Sequence, residues 1–196
     1  FLGTDTGYLL LMDRDGRFPV QTRIGVGVKA LTQLQLIEDL NILVALCDGK
    51  LTYHNPKTLR KINSCIDKGI PKSLAAWNAS NKISIFSVMR SKPHDICVGL
   101  KRGRKCLIAM WSEERRAYMQ DQELAMPADA LAMEWFGKTE YVGIGFKNRY
   151  AILYAPDGKT NEPEVPVEGG PVVMHSVDND LLVSTSMDLG IFLKTN

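Results

Sequence analysis

Apolar residues along this chain fall in short runs separated by Gly, Asp, Asn and Lys, and five segments share one layout. Two or three apolar residues are followed by a small residue, then a polar turn, then a second apolar run. The segments are FLGTDTGYLLLM, ILVALCDGKLTYH, ICVGLKRGRKCLIAMW, VGIGFKNRYAILY and LLVSTSMDLGIFL. Anchored on Leu2, Val44, Val98, Ile144 and Val183, each has a small residue next: Gly3, Ala45, Gly99, Gly145 and Ser184. The anchors are spaced by 42, 54, 46 and 39 residues. β-Branched and aromatic runs around a short polar turn predict a β-hairpin in each segment. Asp48-Gly49 is the clearest turn, because a type I′ turn needs φ > 0 at both central residues. A small residue at one fixed register predicts a crowded place where neighbouring sheets converge.

Further apolar runs precede the hairpins and predict a third strand in each repeat: 30–37 (ALTQLQLI), 73–77 (SLAAW), 130–135 (ALAMEW) and 172–177 (VVMHSV). Segments such as Leu59–Ile62 supply a fourth. The charged stretch Glu113–Gln122 reads as strand and loop. Four short strands per roughly 40–50 residues is the pattern of a β-propeller blade. A β-sandwich accounts for the strands but not for the recurring small residue, and a β-solenoid is the other alternative. The expected fold class is therefore all-β, a β-propeller with five blade repeats visible across residues 1–196. The ring reads as incomplete, its first repeat lacking a leading strand, and is expected to continue in a longer protein. No Gly-His…Trp-Asp signature marks it as a WD40 chain.

The order of these motifs resembles the citron homology (CNH) domain. An opening GT-x-x-G-x-L hairpin comes first. Next is the L-x-D-G-x-L…T-L segment within LQLIEDLNILVALCDGKLTYHNPKTLRKI, and then the G-F-K-x-x-Y-x-I hairpin at Gly145–Ile152. Within the family the chain is most similar to the N-terminal domains of the HOPS and CORVET vesicle-tethering subunits and the TGF-β-receptor-associated protein. The interval between Val44 and Val98 departs from the family around Asn78–Asn81 and Arg90–His94. The resemblance implies a non-catalytic propeller that binds a Rab-type small GTPase or other tethering-complex subunits. It further implies a cytoplasmic protein, peripheral on the late endosome, lysosome or vacuole membrane. The alternative is the CNH regulatory domain of a kinase or Rho exchange factor, binding Rho- or Rap-type GTPases.

Charge is unevenly distributed. Residues 1–110 hold 17 Lys+Arg against 8 Asp+Glu, whereas residues 111–196 hold 7 against 14. A basic first half favours acidic partners or an anionic membrane. The densest basic cluster is Lys101, Arg102, Arg104 and Lys105, in the third hairpin's turn and near Arg115 and Arg116 in sequence. These four residues are the candidate partner- or membrane-binding site. Nucleic acid is not expected, since no aromatic residues are interleaved with the charges for base stacking.

Nothing in the sequence assembles a catalytic, cofactor or metal site. His54, His94 and His175 lack ligand spacing and read as turn or surface residues. Gly25-Val-Gly27 and Gly143-Ile-Gly145 lack the third glycine and following helix of a dinucleotide site. Cys47, Cys65, Cys97 and Cys106 show no CxxC spacing and mostly sit in apolar runs, as free thiols in a reducing setting do. Asn78-Ala-Ser80 matches a glycosylation sequon. Phe18, Trp77, Trp135 and Phe136 are candidate contact anchors, with packing inside the blades the favoured role for the two tryptophans.

Overall fold

A computed structural model describes residues 1–13, 15, 23–62, 72–80, 82–137, 140–160, 164–170, 172–177, 179–187 and 191–193, with backbone alone for 72, 73, 120, 121, 160 and 191–193. Its strands form five antiparallel sheets that follow one another in chain order. The first sheet holds β1 (Leu2–Gly3), β2 (Tyr8–Leu10) and β3 (Arg23–Gly25), and the second β4 (Leu31–Ile37), β5 (Ile42–Cys47) and β6 (Lys50–His54). Helix α1 (Lys72–Ala79) leads into the third sheet, of β7 (Ile83–Val88), β8 (Ile96–Leu100), β9 (Lys105–Ser112) and β10 (Ala117–Ala125). The fourth comprises β11 (Ala132–Phe136), β12 (Tyr141–Gly145), β13 (Arg149–Tyr154), β14 (Lys159–Thr160) and β15 (Val165–Pro166). The fifth holds β16 (Val173–Val177), β17 (Asp180–Ser184) and β18 (Ile191–Leu193).

All five expected hairpins form, as β1–β2, β5–β6, β8–β9, β12–β13 and β17–β18. Cys47 faces Lys50 across a two-residue turn whose Asp48 and Gly49 have φ of 52° and 71°. Glu113–Gln122 is the turn and strand after β9, as read from sequence. Each buried apolar cluster lies between successive sheets rather than within one. The largest joins Val44, Leu46 and Tyr53 of the second sheet to Phe86, Val98 and Leu107 of the third. A second joins the third sheet to the fourth, and a third the fourth to the fifth. Sheets stacked in sequence through both faces are the blades of a propeller. No closed ring is seen among the described residues.

Three of the small residues, all glycines, sit where the blades converge. A Cβ built on Gly3 would lie 2.7 Å from Leu31 Cβ, one on Gly99 3.2 Å from Ala130 Cβ, and one on Gly145 3.0 Å from Val172 Cβ. In each case the neighbour stands at the threshold of the next sheet's first strand. The N–H of Leu31 donates to Thr4 O at 2.9 Å, and that of Ile83 to Gly49 O at 3.1 Å. Thr4 and Gly49 are therefore equivalent turn residues. β1 takes the second-strand place of its sheet, as β5, β8, β12 and β17 do in theirs.

The first strands β4, β7, β11 and β16 pack against one another in order. They are joined by polar side chains that reach the next strand's backbone. Gln33 Nε2 donates to Phe86 O at 2.5 Å while its Oε1 accepts from Phe86 N at 3.0 Å. Gln35 repeats this with Val88 O (2.5 Å) and Val88 N (2.8 Å). Ser87 O accepts from Trp135 Nε1 at 2.9 Å, and Glu134 Oε1 accepts from Ser176 Oγ at 2.8 Å. Adjacent blades thus share hydrogen bonds as well as apolar surface.

Four readings of the sequence need correction. SLAAW is helix, not strand: Ala and Leu favour helix, and Leu74 and Trp77, three apart, bury one face. The strand expected there is β7, whose ISIFSV pattern lies just downstream. His54 and His94 are buried rather than on the surface, while His175 is exposed. Phe136, 3% exposed, serves the core and is not a contact anchor, whereas Trp77 and Trp135 are buried in core clusters, the role favoured for them. Leu59–Ile62 joins β6 through a single bridge, His54 with Lys61, since Leu59 takes φ of 58°. Phe18 and Cys65 lie outside the described residues.

Candidate interaction face

The four basic residues occupy the β8–β9 connection as expected, and all are exposed. Three are in the turn, and Lys105 opens β9. The turn is unusually shaped: Arg102 and Arg104 have φ of 58° and 45° on either side of Gly103. Backbone hydrogen bonds hold this form. Lys101 N donates to Lys82 O at 2.7 Å, Arg104 N to Asp129 Oδ1 at 3.2 Å, and Met126 N to Arg104 O at 2.6 Å. The cationic side chains therefore project from a fixed backbone.

Only one of the four is neutralised by an ion pair among the side chains described. Lys105 Nζ lies 2.5 Å from Glu123 Oε1. No ion pair is formed there by Lys101, Arg102 or Arg104. Arg115 and Arg116 do not join the cluster. They sit in the turn after β9, at the far end of an eight-residue strand, roughly 25 Å away at a rise of about 3.3 Å per residue.

Turns that follow second strands and segments that lead into first strands converge on one side of the sheets. Lys101 and Arg102 are flanked there by two depressions. One, of about 700 Å³, lies at the starts of β4, β7 and β11, where the first strands of three blades gather. Its walls carry Lys29, Asp48 and Asp129 beside Ile83 and Leu131. The other, of about 490 Å³, lies toward α1 and is floored by Trp77 and Leu100, with Lys82 and Glu123 on its rim. Lys29 Nζ meets Asp48 Oδ1 at 2.6 Å, and this hydrogen bond raises the lysine's pKa.

The other titratable groups are held by the fold. His54 Nδ1 donates to Leu59 O at 2.8 Å, its Nε2 lies 2.9 Å from Thr52 Oγ1, and burial lowers the ring's pKa. A carbonyl accepts only, so Nδ1 carries the proton in the neutral ring. Cys47, Cys97 and Cys106 are buried free thiols. The hydrogen bond to Cys106, followed by burial, holds the Cys97 thiol well above its ordinary value, which opposes reactivity. Asn78, the sequon residue, donates to Leu51 O at 3.2 Å and accepts from Leu51 N at 2.6 Å, pinning α1 to β6. Among the described residues no group of three or more His, Cys, Asp or Glu could hold a metal ion, and no helix is long and apolar enough to cross a membrane.

Sequence reasoning found the basic turn but missed its surroundings. Lys29, Lys82 and Leu131 are far from it in sequence: pairing of β7 with β8 brings Lys82 to it, and stacking of blades brings Lys29 and Leu131.

Comparison with known proteins bears on the family and the fold. The CNH domain family matches residues 1–195. No curated protein sequence matches the chain. Among solved structures, the β-propeller domain of Cps50 (Swd1) from Myceliophteria thermophila is similar with a TM-score of 0.64 at 12% identity, over 93% of this chain and 57% of that one. The Neurospora crassa Pan2 WD40 domain gives 0.64 at 13% identity over 97% and 55% of the two chains. Saccharomyces cerevisiae Sqt1 gives 0.61 at 15% over 93% and 51%. At these identities the likeness is one of fold, and it is to propellers, WD40 type included. The chain spans a little over half the length of each.

Proposed function

Because the chain belongs to the CNH domain family, we propose that it is a non-catalytic protein-interaction propeller of a membrane-tethering subunit at the late endosome, lysosome or vacuole. Its binding face carries Lys101, Arg102, Arg104 and Lys105, and its partner is a Rab-type small GTPase or another subunit of the tethering complex. The assignment to a tether comes from the motif order FLGTDTGYLLLM, LCDGKLTYH and GFKNRYAIL. The observation that supports this face is the turn itself: exposed cations on a hydrogen-bonded backbone, three of them without an ion pair among the side chains described. Complementary charge of this kind speeds encounter and selects partners more than it adds affinity.

The test replaces all four basic residues by Ser and measures capture of Rab-type GTPases, loaded with GDP or a GTP analogue, and of tethering-complex subunits. Flotation with liposomes of phosphatidylcholine and phosphatidylserine runs in parallel. Partner capture by the parent chain and its loss in the variant, at about 150 mM salt, supports the reading. Unchanged capture would leave the cluster as a solubility device. Each basic residue near an anionic leaflet contributes about 1 kcal/mol, so a loss confined to flotation would assign the turn to the membrane instead.

A further inference from the structure

The two depressions beside the basic turn are parts of one trench. Lys101 and Arg102 line both, and stand as the rim between them. The trench runs across the third blade, from Trp77 of α1 to Leu131 at the start of the fourth blade. Its chemistry is mixed in a specific way. Trp77, Leu100 and Ile83 give an apolar floor, Leu131 is an apolar side chain left 49% exposed, and Lys82, Lys101 and Arg102 supply cations with no ion pair among the side chains described. The carboxylates near it are already engaged: Asp48 with Lys29, Glu123 with Lys105, and Asp129 with the Arg104 N–H.

We infer that this trench binds an extended acidic peptide segment carrying an aliphatic anchor, its carboxylates on Lys82, Lys101 and Arg102 and its anchor beside Leu131. The inference rests on the reading of this face as a partner-binding surface and names the chemistry of what it takes. Charge complementarity favours an acidic ligand, and concavity favours a chain over a flat one. A bilayer surface would meet the tips of Lys101 and Arg102 but would leave the floor and Leu131 unused. An extended peptide reaches both, since its side chains alternate between rim and floor at a repeat of about 7 Å for every second residue. Apolar contact and charge pairing then act together, which neither gives alone at an exposed site.

The experiment uses fluorescein-labelled probe peptides in fluorescence polarisation against the whole chain. The test probe repeats Glu-Glu-Leu, and the controls repeat Glu-Glu-Ser and Lys-Lys-Leu. Saturable binding of Glu-Glu-Leu, weaker binding of Glu-Glu-Ser and none of Lys-Lys-Leu are expected. Reversing Lys101→Glu and Arg102→Glu together turns exposed attractions into repulsions and should weaken binding about tenfold. Leu131→Ser should weaken Glu-Glu-Leu binding and leave Glu-Glu-Ser unchanged. The control pair Lys57→Glu and Arg115→Glu, in turns at the other ends of their strands, should leave both unchanged.

Equal loss from the control pair would overturn the inference, as would Leu131→Ser having no effect. So would cluster-dependent flotation with phosphatidylserine liposomes in the absence of peptide binding. If the Ser variant loses a GTPase or subunit partner while the parent chain ignores Glu-Glu-Leu, the peptide trench fails and the face stands. Failure of both assays removes the face as well. Circular dichroism of each variant, matched to the parent chain, separates binding effects from misfolding.

Discussion

Replacing Gln35 by Met tests whether blades are joined by side-chain hydrogen bonds. The change keeps length and approximate volume while removing both a donor and an acceptor. Gln35 now satisfies the Val88 N–H and C=O together, at 2.8 and 2.5 Å, and Val88 is 1% exposed. Each such bond contributes a net 0.5–1.5 kcal/mol, and a buried group left without a partner costs about 1–3 kcal/mol. Gln35 itself is only half-buried, so water in the gap can reach the orphaned groups and offset part of that cost. The expected destabilisation is therefore about 2 kcal/mol, near the sum of two ordinary bonds. For a chain of this size that corresponds to a fall in Tm of about 4–8 °C.

Thermal melting gives the size, and amide hydrogen exchange gives the place. Exchange at Val88 should accelerate well before exchange in β12 or β13, which lie beyond the seam. Gln35→Glu provides an internal check, because a carboxylate still accepts from Val88 N–H but cannot donate to its carbonyl. If Gln35→Met melts within about 0.5 kcal/mol of the parent, a change typical of surface substitutions, and Val88 exchange is unaltered, the seam contributes nothing and the argument fails.

Two further outcomes follow from packing and burial. Gly145→Ala should destabilise by about 1–3 kcal/mol through overpacking, because its Cβ would come within 2.9 Å of Ala132 and 3.0 Å of Val172; Gly25→Ala, whose nearest atom would be 3.8 Å away, should be neutral or slightly stabilising in the same melts. His54 has a folded-state pKa depressed by burial, so the unfolded chain takes up its proton more readily. Stability should therefore fall as pH drops through about 6.5, and His54→Gln should flatten this slope in denaturant titrations at fixed pH values.

The repeat was legible because hairpins are local. Asp48-Gly49 specifies its own turn, and a two-residue turn fixes the register of β5 on β6. The small residues were legible for a different reason, since a Cβ at Gly3, Gly99 or Gly145 meets the same crowding at the next sheet's first strand. What the sequence obscured depends on how the folded backbone presents its groups. His54 and His94 look like surface residues until carbonyls from Leu59 and Met89 are brought to their rings. Asn78 looks like a sequon until α1 is laid against Leu51. SLAAW and ISIFSV are both short apolar runs, and only the three-residue separation of Leu74 and Trp77 against the alternation of β7 tells helix from strand.

The basic turn illustrates how function is attached to such a scaffold. Within one hairpin, Lys101, Arg102, Arg104 and Lys105 are charges on a connection, and a hairpin would fold with many other residues there. The fold changes their meaning: pairing of β7 with β8 sets Lys82, with α1, on one side of them, and stacking sets the starts of β4 and β11 on the other. Gln33 and Gln35 fix the second blade to the third, and Ser87 fixes the third to the fourth. The walls of the larger depression thus belong to three blades whose spacing is held by hydrogen bonds along their first strands. Loosening that seam should broaden the trench without touching a single residue that lines the α1 side. Gln35→Met would therefore weaken Glu-Glu-Leu binding at temperatures well below its own melt, whereas Gly25→Ala, in the first sheet and outside both depressions, would not. Equal peptide affinity in the two variants would mean that the face is rigid within the third blade alone.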